Sequence, residues 1–187
     1  MQLYHKMNIA GLERDLPICR VNDSLYIAGF VIFGDPDLTC AAAKALLDKV
    51  PYEYDYMLTA EAKGIPLIHE MARQSGAKKY FLARKAPKLY MTGVMEVNVK
   101  SITTAKEQTL FLDTADAELM KGKKILLVDD VISTGESLHA LEVLVEKAGG
   151  IVTGRCAILA EGDAQERDDL VYLEKLPLFN AKGEIIG

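Results

Sequence analysis

The segment KKILLVDD, residues 123–130, limits the possible folds more than any other part of the sequence. Four consecutive apolar residues lead directly into two adjacent aspartates. An uninterrupted apolar run of this kind is typical of a strand that is covered on both faces. The following segment places Leu138, Leu141 and Leu144 on one helical stripe. A buried strand that leads into such a helix is typical of an α/β protein with a parallel sheet.

Strand and helix patterns alternate along most of the chain, and no repeat or linker divides it. The predicted helices cover residues 38–50, 65–76 and about 135–148, and the predicted strands cover residues 54–60, 79–84, 123–130 and 151–161. Asp35 or Asp37 can cap the first helix. Residues 90–113 indicate either a β-hairpin or a long mobile loop. We therefore expect an α/β fold with a doubly wound, mostly parallel sheet in a single domain.

The composition favours a cytoplasmic protein with neither nucleic acid nor a membrane as its partner. The formal net charge is −5, which disfavours a general surface for nucleic acids or anionic lipids. The chain starts without a signal-peptide pattern, and no apolar run is long enough to span a bilayer. The 3 cysteines are far apart, and their odd number argues for reduced thiols rather than a disulfide framework.

The residues after the paired aspartates form a hydroxyl-rich turn at the start of a helix. Free backbone N–H groups and the helix dipole favour a phosphate there, and Gly135 lets the backbone approach it closely. The turn adds the hydroxyl groups of Ser133, Thr134 and Ser137. Asp129 and Asp130 would repel a phosphate, but they suit the hydroxyls of a diol or the waters around Mg²⁺. A phosphate site beside a diol site describes a ribose 5-phosphate.

This segment, VDDVISTGES, resembles the motif with which type I phosphoribosyltransferases bind 5-phosphoribosyl 1-pyrophosphate (PRPP). The resemblance implies that Asp129 and Asp130 hold the ribose and are the catalytic carboxylates. It assigns the turn to the 5′-phosphate of PRPP, through Ser133, Thr134, Gly135, Glu136 and Ser137. No Walker pattern occurs, so the sequence does not indicate a P-loop NTPase.

Two further segments resemble the same family and follow its order. LTAEAKGIPL, residues 58–67, is similar to the pyrophosphate loop of the adenine and xanthine enzymes, and ARKAPKLYM, residues 83–91, is similar to their Arg-Lys-x-x-Lys segment. The residues that the resemblance assigns to pyrophosphate are Ala62, Lys63, Gly64, Arg84, Lys85 and Lys88. Three cations in five residues could also form an ordinary solvated face.

The resemblance implies a reaction in which a purine base displaces pyrophosphate from C1 of PRPP. Mg²⁺ would be carried by PRPP, with no direct protein ligand and with water-mediated contacts to Asp129 and Asp130. The family also implies a homodimer. It further implies a small hood made by residues 1–35 and 165–187, and a lid over residues 94–113 that is mobile without ligand and closes over PRPP.

The segment GFVIF, residues 29–33, is the candidate for base recognition. Phe30 and Phe33 are candidates for stacking on the base, and the main chain from Val31 through Ile32 to Phe33 for reading its edge. Val131 matches the apolar position that covers one face of the base in the adenine enzymes, and this resemblance implies the same role here. Backbone recognition favours adenine slightly, whereas xanthine would need an extra donor such as Lys106. A PRPP-sensing regulator of the purine-repressor type, which binds PRPP without turnover, remains the alternative.

Overall fold

The computed structural model describes residues 3–100 and 107–186. The strands are β1 (Tyr4–Ile9), β2 (Leu12–Arg20), β3 (Tyr26–Ala28), β4 (Tyr56–Ala60), β5 (Phe81–Ala83), β6 (Val94–Lys100), β7 (Glu107–Asp113), β8 (Lys124–Ile132), β9 (Ile151–Glu161), β10 (Val171–Leu176) and β11 (Leu178–Phe179). The helices are α1 (Pro36–Lys49), α2 (Gly64–Ser75), α3 (Thr114–Met120) and α4 (Glu136–Lys147), with a short 3₁₀ helix at Gly162–Glu166. Among these residues, no helix combines the length and the apolar character needed to cross a membrane.

The central sheet has five strands in the order β10-β9-β8-β4-β5, and every neighbouring pair is parallel. This arrangement confirms the α/β prediction. The segment at residues 123–130 lies in β8, the middle strand. Because the strands are parallel, their carboxyl ends meet at one edge, which is where ligands bind in open α/β sheets.

Alternate residues of the central strands pack into two different apolar layers. Met57 and Leu126 pack with α1, α2 and the terminal strands, whereas Leu58 and Leu127 pack with α3, α4 and the β6–β7 hairpin. All four side chains are fully buried. Both faces of the sheet are therefore covered, which explains why β8 is apolar without interruption.

Both ends of the chain contribute to a second, antiparallel sheet, in the order β1-β2-β3-β11. The sequence analysis assigns no strands to residues 4–28, although Met7 and Ile9 alternate correctly toward the core. One part of the expected hood is wrong, because β10 pairs in parallel with β9 and so belongs to the central sheet. Arg14 of β2 joins this second sheet to α1 by donating to both carboxylate oxygens of Asp35, the residue that caps the helix.

Residues 94–100 and 107–113 form the antiparallel hairpin β6–β7, one of the two alternatives left open by the sequence. Val97, Leu110 and Leu112 are buried in the layer that contains α4. The predicted lid over residues 94–113 thus contains two strands with apolar packing, and its mobility without ligand stays a prediction. Residues 101–106, which include Lys106, lie outside the described residues. Closure over a ligand stays a prediction.

Candidate active site

Asp129 and Asp130 lie near the carboxyl end of β8, and Lys63, just before α2, reaches them from the adjacent strand connection. Lys63 Nζ is 2.7 Å from Asp130 Oδ2, and the Asp130 side chain is only 4% exposed. This oxygen nevertheless has no partner with hydrogen-bond geometry among the described residues. The two groups are close enough for an ion pair, but Asp130 Oδ2 accepts no well-oriented hydrogen bond from the described residues. Buried carboxylates usually have such a bond.

Burial and, next, the negative charge of Asp130 raise the pKa of Asp129 to about 7, while the Asp130 N–H and Lys63 oppose the shift. The Asp130 N–H donates to Asp129 Oδ1 at 2.9 Å. Two adjacent carboxylates in a poorly solvated position cannot both ionise easily. This electrostatic cost has no structural purpose at a strand end, and perturbed carboxyls of this kind concentrate at functional sites.

Gly64 allows α2 to begin directly against these carboxylates. A Cβ at this position would lie 3.4 Å from Asp129 Oδ1 and would clash with the hydroxyl of Thr59. Thr59 is buried in β4, and its hydroxyl has no hydrogen-bond partner among the described residues. Ala62 lies in the same connection, and the peptide bond between Glu61 and Ala62 is cis. The connection from β4 to α2 thus brings Lys63 and Gly64 to the paired aspartates. Their predicted contact with pyrophosphate stays a prediction.

The turn between β8 and α4 presents polar groups to solvent. Gly135, the N-cap residue, has a φ of 78°, in the left-handed region that favours glycine, and the Thr134 hydroxyl accepts from the Glu136 N–H at 3.5 Å. The N–H groups in the first turn of α4 therefore have no intrahelical acceptor. Ser133, Thr134 and Ser137 are exposed beside them, and Glu136 is the first residue of the helix. A helix terminus with these features favours an anion, and the binding of the 5′-phosphate there stays a prediction.

Arg84, predicted to bind pyrophosphate, already pairs with a carboxylate of the protein. Arg84 Nη1 donates to Glu61 Oε1 at 2.6 Å, and the Lys85 N–H donates to Glu61 Oε2 at 3.1 Å. The bond from Lys85 and, next, that from Arg84 lower the pKa of Glu61 against its partial burial. The Lys85 side chain is exposed and that of Lys88 is half-buried. Of these cations, Arg84 is the one that is fixed inside the protein.

The basic segment is also tied to the hairpin. The backbone of Arg84 exchanges two hydrogen bonds of 2.8 Å with Phe111 of β7. The Arg84 guanidinium also donates to the hydroxyl of Tyr90 and lies over its ring, 5.9 Å from the ring centre. Arg84 therefore links the β4–α2 connection, the basic segment and β7.

The segment of residues 29–33 is a loop between β3 and α1, with its side chains alternating between core and solvent. Phe30 and Ile32 are buried in the core, so the Phe30 ring does not face a ligand. Val31 and Phe33 are exposed. The Ile32 carbonyl accepts from the Asp35 N–H at 3.2 Å and so is already engaged. Val131 is half-buried against the same core cluster. Of the predicted base contacts, the structure leaves Phe33, Val31 and Val131 accessible.

Two charged residues at this edge escaped the sequence analysis. Glu161 is the last residue of β9, just as Asp129 and Asp130 lie near the end of β8. Burial raises the pKa of Glu161, and the charge of Lys63 opposes that rise. Its position at the end of a predicted strand was the available signal. Arg167 follows the 3₁₀ helix, and its Nη1 would be 3.0 Å from a Cβ on Gly135. No sequence pattern indicates that contact.

Within residues 3–100 and 107–186, no three His, Cys, Asp or Glu side chains are grouped so that they could hold a metal ion. Asp129 and Asp130 supply two adjacent carboxylates. These residues fit outer contacts to the waters of Mg²⁺, with most of the inner ligands coming from the substrate.

Comparison with known proteins places the chain in a family. Residues 38–180 match the phosphoribosyl transferase domain. The chain is 31% identical to the adenine phosphoribosyltransferase of Pseudothermotoga lettingae over 155 residues, which cover 82% of this chain and 87% of that protein. It is 27% identical to the hypoxanthine/guanine phosphoribosyltransferase of Methanothermococcus okinawensis, with 92% of this chain and 96% of that protein covered.

The fold is also similar to that of a solved relative. The adenine phosphoribosyltransferase of Thermoanaerobacter pseudethanolicus superposes with a TM-score of 0.68 over 92% of this chain and 95% of that one, at 17% identity. With the matching domain, the similar sequences and the paired aspartates before an anion-binding turn, the chain belongs to the phosphoribosyltransferase family, among the type I purine phosphoribosyltransferases.

Proposed function

We propose that the protein transfers the 5-phosphoribosyl group of PRPP to adenine and releases pyrophosphate, as a purine salvage enzyme. The observation that carries the proposal is the position of Asp129 and Asp130, which stand before the phosphate-binding turn and beside Lys63. The turn would hold the 5′-phosphate, and the carboxylates would accept hydrogen bonds from the ribose hydroxyls. These contacts fix the sugar for in-line attack on C1.

The reaction makes a bond between a ring nitrogen of the base and C1 of the ribose, and it breaks the bond from C1 to the pyrophosphate oxygen. The leaving oxygen keeps the electron pair, so negative charge grows on pyrophosphate. The ring nitrogen that forms the new bond releases its proton to the solvent. Lys63 and the cations Arg84, Lys85 and Lys88 would stabilise that charge. When bound with PRPP, Mg²⁺ would neutralise part of the same charge. Asp129 and Asp130 would orient its waters.

Base recognition is proposed for Phe33 and Val131, with main-chain groups of residues 31–33 reading the edge of the ring. The exposure of Phe33 and the half-burial of Val131 support this role. Backbone groups can recognise adenine without a charged side chain. Lys106, the donor considered for xanthine, lies outside the described residues.

The decisive experiment is a turnover screen with PRPP, Mg²⁺ and each of adenine, hypoxanthine, guanine, xanthine and orotate. We expect AMP and pyrophosphate from adenine, measured by chromatography. Turnover of another purine with adenine ignored would show that the base choice is wrong. Saturable PRPP binding without product from any base would favour the PRPP-sensing regulator instead.

The base pocket has its own test. Phe33→Ala should raise the KM for the base several-fold while the KM for PRPP stays near its original value, because PRPP rests on other residues. Val21→Ala is a matched control, since it also shortens an exposed apolar side chain near the amino end. Normal base kinetics in Phe33→Ala would remove this residue from the pocket.

A homodimer is part of the proposal. Leu89 is fully exposed and Tyr90 is largely exposed beside Lys88, which supports an association surface next to the basic segment. Light scattering after gel filtration should give the mass of two chains, and a monomer at assay concentrations would contradict this. A cytoplasmic location is supported by the exposed free thiols of Cys19 and Cys40.

A further inference from the structure

Arg167 brings a positive charge to the phosphate-binding turn from outside the motif. It follows the 3₁₀ helix at Gly162–Glu166, in the connection between β9 and β10. Its Nη1 atom lies 3.0 Å from the position that a Cβ would take on Gly135. The guanidinium therefore lies beside Gly135, the residue that precedes α4.

The orientation of Arg167 is fixed by a carboxylate behind it. Nε donates to Asp169 Oδ1 at 2.9 Å, and Nη2 donates to Asp169 Oδ2 at 2.8 Å. This two-point contact leaves Nη1 on the side of the turn, where it has no acceptor among the described residues. An arginine held in this way presents its remaining donors in a defined direction.

Asp169 is in turn connected to the elements that flank the turn. Arg155 of β9 lies 3.4 Å from Asp169 Oδ2 and donates to Glu142 of α4 at 2.6 Å. Opposite charges thus alternate from α4 through β9 to Arg167. This arrangement anchors the guanidinium to the same helix whose amino end forms the turn.

A phosphate at the turn needs such a charge. From Ile125 to Glu146 the sequence contains no lysine or arginine, whereas Asp129, Asp130 and Glu136 are acidic. The helix terminus itself supplies only about half of an elementary charge. From outside this segment, Lys63 pairs with Asp130. Arg167 lies beside the turn itself, where its charge would add to that of the helix terminus.

We propose that Arg167 binds the 5′-phosphate of the substrate through Nη1, with Asp169 as the positioning residue. This role deepens the proposed function and rests on it. Arg167 would also distinguish between ligands. Ribose 5-phosphate would contact Arg167, whereas pyrophosphate would bind Lys63 and the basic segment.

The test is titration calorimetry with ribose 5-phosphate and, separately, with pyrophosphate. Arg167→Gln should weaken the binding of ribose 5-phosphate about tenfold or more, the usual effect of losing a charged hydrogen bond. The affinity of Arg167→Gln for pyrophosphate should differ from that of the wild type by less than about twofold. Arg167→Lys keeps the charge but loses the fork, so it should fall between the wild type and Arg167→Gln. Arg73→Gln, which removes an exposed arginine paired with Glu70 in α2, should change neither affinity.

The outcomes separate this inference from the proposed function. Unchanged ribose 5-phosphate affinity in Arg167→Gln, in a wild type that forms nucleotide, would overturn the role of Arg167 alone. Equal losses for both ligands in both Arg167 variants would show that Arg167 supports the fold of the loop, which also overturns it. A wild type that binds ribose 5-phosphate through Arg167 but forms no nucleotide would defeat the enzyme assignment and keep the phosphate site. A wild type that binds no ribose 5-phosphate would overturn the role of Arg167, and it would defeat the enzyme assignment as well only if it also forms no nucleotide.

Discussion

Two pairs of opposite charges stand at the same edge of the central sheet and differ in how completely each is satisfied. Glu61 accepts from Arg84 and from the Lys85 N–H, its side chain is 20% exposed, and its pKa is lowered, mainly by the Lys85 bond. Asp130 is more deeply buried, and its oxygen near Lys63 lacks hydrogen-bond geometry. The Glu61–Arg84 pair therefore behaves as a structural link. The Asp130–Lys63 pair keeps a buried, poorly hydrogen-bonded carboxylate, which lowers the stability of the folded protein.

This difference indicates where a ligand would act. A satisfied pair gains little from an added ligand, because its groups already have partners. The Asp129–Asp130–Lys63 cluster gains more, since a diol can satisfy the carboxylates and an anion can approach the lysine. The sequence assigns Lys63 and Arg84 to the same pyrophosphate, yet the structure gives them unequal freedom to bind it.

The largest effect is expected from the buried carboxylates. Asp130→Asn and Asp129→Asn should each lower kcat/KM by about 100-fold or more, because each removes a charge that orients the sugar in the transition state. Steady-state kinetics measures this, with circular dichroism to verify the fold. Asp48→Asn, which changes an exposed aspartate of α1, is the matched control. Unchanged kinetics in both site variants would remove these residues from catalysis.

Lys63→Ala should have the next largest effect. Its affinities for PRPP and pyrophosphate should fall about tenfold or more, whereas that for the nucleoside monophosphate, which lacks the pyrophosphate group, should change less. Calorimetry with the three ligands gives the comparison. Lys44→Ala, which removes an exposed lysine of α1, controls for loss of charge. Equal losses for all three ligands would mean that Lys63 serves only to neutralise Asp130.

Arg84→Ala should reduce the same two affinities by less than Lys63→Ala, because Arg84 is held by Glu61 and Tyr90. Arg84→Ala should instead lower the melting temperature more than Lys63→Ala does, because it removes the hydrogen bonds that connect the β4–α2 connection to the basic segment. Glu61→Gln tests the same link from the other side, because glutamine has nearly the shape of glutamate and weakens only the charged contact with Arg84. A larger ligand effect for Arg84→Ala than for Lys63→Ala would reverse the distinction between the two pairs.

The fold could be predicted where local pattern and burial agree. The apolar run of β8, the stripe of α4 and the Gly76 end of α2 all appear in the structure as expected. The strands β1 to β3 were missed because they are partly polar and take their stability from tertiary pairing. The motif residues converge since they follow strands whose carboxyl ends share one edge.

The ion pairs and Arg167 could not be predicted, because they depend on distances between distant segments. Glu61 and Arg84 are 23 residues apart, and no local pattern states that they bind each other. For Phe30 the sequence predicted a contact with the base that the structure does not support. The loop buries its ring in the core instead. In a loop without regular periodicity, sequence alone does not determine which side chains are buried.

The smallest expected effect compares the two sites by their dependence on pH. The pKa of Asp129 is raised by burial and by Asp130, so the folded state binds its proton more tightly than the unfolded chain does. Its contribution to stability is present below the unfolded pKa of about 4 and is lost as the pH rises through the folded pKa. For Glu61 the pKa is lowered, so its contribution is present above the unfolded pKa and is lost only as the pH falls.

Between pH 5 and pH 8 the two sites should therefore behave differently. Asp129→Asn should raise the melting temperature relative to the wild type by about 2 °C or more at pH 8, and by less at pH 5, because asparagine removes the charge that ionisation would create. Glu61→Gln should lower the melting temperature by a similar amount at both pH values, since Glu61 stays ionised throughout. Thermal melts of the three proteins at several pH values in one salt concentration provide the measurement. If Asp129→Asn melts below the wild type at pH 8, the aspartate is stabilising where it stands, and the contrast between a costly catalytic cluster and a structural link fails.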